Sequence, residues 1–317
     1  SQKGTVLVSG ASGYIAHTLS DNFSKGATTL LELSEVLPIK PNTVSCMTSS
    51  SQENLELREA DLLDPSSWDS ALNNIESVIH VASPIPPGIP KDENELIRPA
   101  VEGTRNVIEA CLKHKVKRLI FTSSCLTIMV RTDGKVADEN DWSEENLLHH
   151  YPKSKYLAEK RSGNTLKNTR TNWNSSAFYQ VWSQVLLLPN TETPAKLSLV
   201  NFEWRIPRHP DPCCKYTAVD VRDVAIGHVN ALEYPDAKGK RYIISGFKIK
   251  NNEVFEILRP KYAPLGYNIP SNLIDAEGIK KSGHGPSLRT LGFLGKKFQV
   301  DNSRGVNELG MKYRTAE

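Results

Sequence analysis

The sequence predicts an α/β fold: a doubly wound parallel sheet with a smaller, irregular C-terminal lobe. Three observations predict it. Short aliphatic runs alternate with amphipathic helical patterns, a glycine-rich turn follows the first run, and proline-rich irregular sequence sets in at Pro189. Strands buried on both faces read as unbroken apolar runs, and strand-helix alternation packs as a parallel sheet covered by helices on each side. Thr5-Val6-Leu7-Val8 is the first run, bounded by Gly10, and Tyr14 to Lys25 sets Tyr14, Ile15, Leu19 and Phe23 at helical spacing. Gly26 closes that helix and Thr28 to Leu33 supplies the next strand. Ser77 to Ala82, Val101 to Lys113 and Arg118 to Thr122 repeat strand, helix, strand. Helical spacing persists after Lys155 and is lost in the polar stretch Arg161 to Ser176, beyond which Val185 to Leu188 is a strand ended by Pro189. Pro189, Pro194, Pro207, Pro210 and Pro212 make the interval before Cys214 loop-rich. Val219 to Leu232 is helical, Lys240 to Ser245 is a strand, and Pro260, Pro264, Pro270 and Pro286 mark an irregular remainder.

Composition narrows the function. The 317 residues carry 39 basic and 36 acidic side chains, net +3, which does not favour nucleic-acid binding. An apolar fraction of 38% with 24% charged residues fits a globular chain with a real core and excludes disordered, collagen-like and coiled-coil classes. No apolar run reaches the roughly 18 residues of a membrane helix, and Ser1 to Gly4 lead into a strand rather than a secretory signal. No membrane partner and a cytoplasmic location are therefore expected. The five cysteines lack metal or CxxC spacing and read as reduced thiols. His80, inside a strand, reads as a core histidine.

Chemistry concentrates in two places. Gly10-Ala11-Ser12-Gly13-Tyr14-Ile15-Ala16 lies between the first strand and helix, where glycines let backbone approach a pyrophosphate at a helix N-terminus, as in a Rossmann unit. Its spacing is GxxGxxA rather than GxGxxG. The second place is Tyr151-Pro152-Lys153-Ser154-Lys155, which sets a phenol and an ammonium one helical turn apart. Phenols titrate near 10, so proton transfer near neutrality calls for a nearby cation, and Lys155 is spaced to be that cation. Ser124, just past a sheet strand, is placed to orient a carbonyl oxygen.

With these motifs in hand, the chain resembles an extended short-chain dehydrogenase/reductase of the dihydroflavonol reductase and cinnamoyl-CoA reductase type. The resemblance also rests on DLLD (Asp61 to Asp64), VIHVASP (Val78 to Pro84), PAVEGTRNVIEAC (Pro99 to Cys111), FTSS (Phe121 to Ser124), YPKSKYLAEK (Tyr151 to Lys160) and VDVRDVAIGHVNALEYP (Val219 to Pro235). It implies a Ser124, Tyr151 and Lys155 catalytic triad, with Asp61 and Leu62 flanking the adenine and Val81, Ala82 and Ser83 bordering the cofactor. Gly10, Ser12, Gly13, Tyr14, Ile15, Thr122 and Pro189 complete the cofactor contacts. Residues 1–189, rejoined by 215–246, form the nucleotide domain; 190–214 and 247–317 form the substrate lobe. The arginine expected for an NADP 2′-phosphate falls at Ser34, and Glu32 stands where an acid would bind the ribose of NAD. NADP(H) is expected on family grounds, with NAD(H) the alternative.

The implied activity is reduction of an aldehyde or ketone, reversible as dehydrogenation of a small-molecule alcohol. Two other readings share the scaffold: an inert nucleotide-holding subunit, suggested by the altered segment Asn190 to Cys214, and a nucleotide-sugar epimerase or dehydratase.

Overall fold

The structure is a computed structural model that describes residues 5–11, 13, 15–16, 18–19, 43–49, 55–84, 90–168, 177–182, 185–186, 215–265, 277, 281 and 299–315. Its elements run β1 (Val6–Ser9), β2 (Thr43–Ser49), β3 (Leu55–Asp61), α1 (Ser67–Ala71), β4 (Ser77–His80), α2 (Asn94–Lys113), β5 (Arg118–Thr122) and α3 (His150–Asn168). There follow β6 (Ala177–Trp182), β7 (Val185–Leu186), β8 (Lys215–Asp220), α4 (Val221–Glu233), β9 (Arg241–Ile243), β10 (Phe247–Lys250), α5 (Asn251–Tyr262) and α6 (Ser303–Leu309).

Side chains alternate across a strand, so a sheet covered on both faces needs apolar residues at successive positions. The central strands meet that requirement. Val6, Val8, Ile79 and Ile120 pack in one layer with Val224 and Ala225 of α4 and Leu309 of α6. Their neighbours Leu7, Val78 and Leu119 pack in the opposite layer with Trp68 of α1 and Val107, Ile108 and Cys111 of α2. Gly103 of α2 permits the closest approach there: a Cβ at that position would lie 2.9 Å from Leu62 Cβ. Among the described residues no helix is long and apolar enough to cross a membrane.

The seven-stranded sheet has the order β3-β2-β1-β4-β5-β6-β9, and β7, β8 and β10 form a second sheet of three strands. The run β1-β4-β5-β6-β9 is parallel throughout, as the alternating pattern predicts. Strand β2 is the exception, running antiparallel to both β1 and β3. Only residues 50–54 separate β2 from β3, too few for a crossover, so the two pair as a hairpin. The strand predicted at Thr28 to Leu33 lies outside the described residues.

Three other boundaries differ from the sequence reading. Helix α2 begins at Asn94 rather than Val101. Helix α3 continues to Asn168 through sequence that looks non-periodic, and its polar Ser162 is buried with its hydroxyl donating to the Ala158 carbonyl at 2.5 Å. Helix α4 starts at Val221 because the Asp220 side chain accepts the Arg222 amide at 2.8 Å, an N-cap that leaves Val219 in β8. Of Val185 to Leu188, the described β7 holds Val185 and Leu186.

Candidate active site

Ligands of parallel α/β sheets sit beyond the carboxyl ends of the strands, where the sequence-selected residues gather. The turn after β1 carries Gly10 at φ +80°, with the Gly13 amide donating to the Gly10 carbonyl at 2.8 Å. A Cβ on Gly10 would stand 3.1 Å from Ala82 N and Cα, so the turn lies flat against the segment leaving β4. Ser9 ties the two together, accepting the Ala82 amide at 3.2 Å and pairing with His80 Nδ1 at 2.8 Å. Gly10→Ala is expected to cost at least about 1–2 kcal/mol for the left-handed backbone alone, read as a lower melting temperature.

Val81, Ala82 and Ser83 are half-buried at this edge, and Ile15 packs against the core. Asp61 ends β3 with its carboxylate accepting the Leu63 amide at 2.7 Å. The Leu62 side chain is buried towards α2, and its carbonyl accepts Asn106 Nδ2 at 2.8 Å. Ser12, Tyr14, Glu32 and Pro189 lie outside the described residues.

Beyond β5 the chain turns sharply. Ser124 is extended and accepts the Leu126 amide at 3.3 Å, capping the short helical turn Cys125–Thr127. Opposite it, α3 opens at His150, whose backbone is left-handed (φ +52°). Glu93 at the start of α2 accepts the His150 amide at 3.1 Å and the Lys153 ammonium at 2.7 Å, a carboxylate placed where the helix dipole favours negative charge. Tyr151 and Lys155 follow on the first turns of that anchored helix.

Lys155 is 3% exposed and donates to the Thr122 carbonyl at 2.6 Å, its ammonium 5.0 Å from the Phe121 ring centre. Burial pulls its pKa down to about 8, against the opposing pull of the Glu159 carboxylate. Thr122 is braced in turn from α4: its hydroxyl lies 2.7 Å from His228 Nε2, and His228 Nδ1 lies 2.8 Å from the Val224 carbonyl. A carbonyl can only accept, so Nδ1 carries the proton and Nε2 accepts from Thr122. Both polar groups of Thr122 are thereby engaged within the protein, which makes it a support for Lys155.

The phenol differs from the sequence expectation. Lys155 is expected to lower the Tyr151 pKa, but its ammonium points to the Thr122 carbonyl. Tyr151 is half-exposed at its surface, yet its hydroxyl lies deep enough that desolvation, reinforced by the nearby Cys125 thiol, pushes it up to about 12. At neutral pH Tyr151 therefore holds its proton. Sequence reasoning also missed Ser9, Glu93, Glu159 and His228, the groups that hold the selected residues in place. Only Glu159, one turn after Lys155, carries a local signal in the spacing.

Comparison with known proteins agrees with this architecture. A model of the 3-beta hydroxysteroid dehydrogenase/isomerase family matches residues 7–178, more than half of the chain. Cinnamoyl-CoA reductase 2 of Arabidopsis thaliana is 31% identical over 305 residues, covering 93% of this chain and 88% of the relative. Dihydroflavonol 4-reductase of the same plant is 31% identical over 319 residues, covering 94% and 77%. The chain belongs to the extended short-chain dehydrogenase/reductase family. Among solved structures, Gre2 of Candida albicans in complex with NADPH superposes with a TM-score of 0.67 at 21% identity, over 98% of this chain and 94% of that one. For this family member, that likeness concerns the fold: a parallel sheet whose strand ends carry a glycine turn on one side and the Tyr151 helix on the other.

Proposed function

We propose that the protein is an NADP(H)-dependent reductase of an aldehyde or ketone, able to run in reverse as an alcohol dehydrogenase, with Ser124, Tyr151 and Lys155 at its centre. The observation that carries this reading is the convergence of Ser124, the Lys155 ammonium and a protonated Tyr151 beyond β5, on the sheet edge that also presents the Gly10 turn. The fit to a dinucleotide is physical: Gly10, at φ +80°, and Gly13, whose amide closes on the Gly10 carbonyl, make the tight backbone turn that a pyrophosphate site at a helix start requires. The cofactor, when bound, supplies hydride.

The chain's own residues do the rest. Tyr151 holds a proton at its phenol oxygen and gives it to the developing alkoxide, a stronger base than a phenolate. Ser124 donates to the carbonyl oxygen and fixes its direction. Lys155, its ammonium held on the Thr122 carbonyl, supplies a positive charge for the cofactor ribose. Asp61, Leu62, Val81, Ala82, Ser83 and Ile15 border the nucleotide. The named activities of the relatives, cinnamoyl-CoA reductase and dihydroflavonol 4-reductase, support carbonyl reduction, and the NADPH complex of Gre2 supports NADP(H) as the cofactor.

Fluorescence titration with NADPH and NADH, followed by nucleotide oxidation with cinnamoyl-CoA, a dihydroflavonol, methylglyoxal and isovaleraldehyde, tests the reading. Tighter binding of NADPH and turnover of at least one carbonyl are expected. Binding without any turnover would overturn the reductase in favour of a nucleotide-holding scaffold, and absence of binding would overturn both.

A further inference from the structure

Glu159 is 1% exposed, and the reductase chemistry gives it no direct task. A buried carboxylate carries a large desolvation cost, and an apolar side chain of similar size would usually be no worse for stability. Its contacts are specific. One oxygen, Oε2, accepts the hydroxyl of Ser123 and that of Thr127, the latter at 2.8 Å, so it grips the chain on both sides of Ser124. The other, Oε1, stands 2.9 Å from the Arg241 guanidinium of β9, which also donates to the Glu139 and Asp141 carbonyls at 2.7 and 2.9 Å. Glu159 follows Lys155 by one helical turn, on the same inward face of α3.

We propose that Glu159 is a positioning residue for Ser124 and Lys155: one fixed carboxylate brackets the serine segment and sets its charge one helical turn from the lysine on the same buried face. This assignment rests on the reductase reading. The titratable groups that interact with Lys155 are His80 of β4, neutral, and Glu159 of α3; beyond Glu159 stand Arg241, Glu139 and Tyr156. Of these, Glu159 is the group whose charge favours the Lys155 ammonium. Burial works against ionisation of Glu159 itself, and Arg241 is the main group opposing it.

The test compares the full-length wild-type protein with Glu159→Gln, Glu159→Asp and Thr127→Val. Each is titrated with NADPH across the pH range where Lys155 loses its proton, and kcat is measured on whichever panel carbonyl the wild type reduces. Lys155 has to be charged to hold the ribose, so NADPH affinity weakens as pH rises through its pKa. Glu159→Gln is expected to move that midpoint down by about one unit and to lower kcat about tenfold. Glu159→Asp keeps the charge but shortens the reach, and should restore the midpoint while kcat stays low. Thr127→Val should lower kcat several-fold with the midpoint unmoved.

A merely structural carboxylate would lower the melting temperature and leave the midpoint in place; a folded Glu159→Gln with the wild-type midpoint overturns the assignment. Should Glu159→Gln not fold, unchanged kcat in Thr127→Val overturns it. Failure of the reductase reading looks different, as absence of NADPH binding or of carbonyl turnover in the wild type, and removes the assignment with it.

Discussion

Tyr151→Phe is expected to lower kcat about a thousandfold while leaving NADPH affinity within about twofold. Phe keeps the ring, its packing and the start of α3, where Glu93 holds the His150 amide and Lys153, so the helix and its Lys155 stay in place. What disappears is the phenolic proton. Burial pushes Tyr151 up to about 12, so in the reductive direction the group is loaded with its proton at every ordinary pH. An alkoxide formed there would then meet only weaker acids, the Ser124 hydroxyl and water. The same values give the pH dependence of the wild type. Lys155, pulled down to about 8, is charged below that pH and neutral above it. The reduction rate is therefore expected to be level on the acid side of about 8 and to decline on the alkaline side, before the phenol itself titrates. Steady-state rates, with saturating NADPH for the Tyr151 comparison and subsaturating NADPH for the pH profile, beside a melting curve for each variant, decide the matter. A Tyr151→Phe protein that folds and turns over within tenfold of wild type would remove Tyr151 as the acid.

Local signals carried most of what the sequence disclosed. The β1-Gly10 turn, the aliphatic runs of β4 and β5 and the Tyr151-to-Lys155 spacing are each written within a few residues, and the structure sets all of them at one sheet edge. The supports were not legible because they join distant segments: Ser9 to His80 across 71 residues, Thr122 to His228 across 106, Ser123 to Glu159 across 36. None of these pairs has a periodicity or a turn signature; the fold alone brings them together. The same reason explains why Lys155 looks, from its spacing, like the partner of the Tyr151 phenol. Helical geometry places it one turn away, but the Thr122 carbonyl, fixed by β5 and His228, claims its ammonium. The direction of β2 escaped for a related reason, since it depends on which segment pairs beside β1 and not on any pattern within Thr43–Ser49.

Those hidden supports give the molecule an acid sensitivity of calculable sign. His80 and His228 are both fully enclosed, and burial drives their pKa values from an ordinary 6.5 to about 3 and about 4; a lesser push on His80 comes from the Lys155 ammonium. The folded state keeps both rings neutral where the unfolded chain protonates them, so below pH 6.5 the unfolded state binds more protons. Stability present above that pH falls as pH drops, by about 1.4 kcal/mol per unit for each ring and about 2.7 for the pair. By about pH 5 the loss reaches roughly 4 kcal/mol, a large share of the 5–15 kcal/mol typical of a folded domain. Glu139 and Glu159 act in the opposite sense, because burial raises both and the folded state then takes up protons first as pH falls. The carboxylate contribution is common to the wild type and the histidine variants, so the difference between them from pH 6.5 to about pH 5 isolates the histidine slope. Urea unfolding at several pH values in that interval should show it, and His228→Gln should roughly halve it. The Gln amide oxygen can still accept from Thr122, so the fold keeps that bond and loses only the titrating ring. A His228→Gln protein with the full wild-type slope would mean that the ring is protonated in the folded state, which its contact with Thr122 through an unprotonated Nε2 forbids.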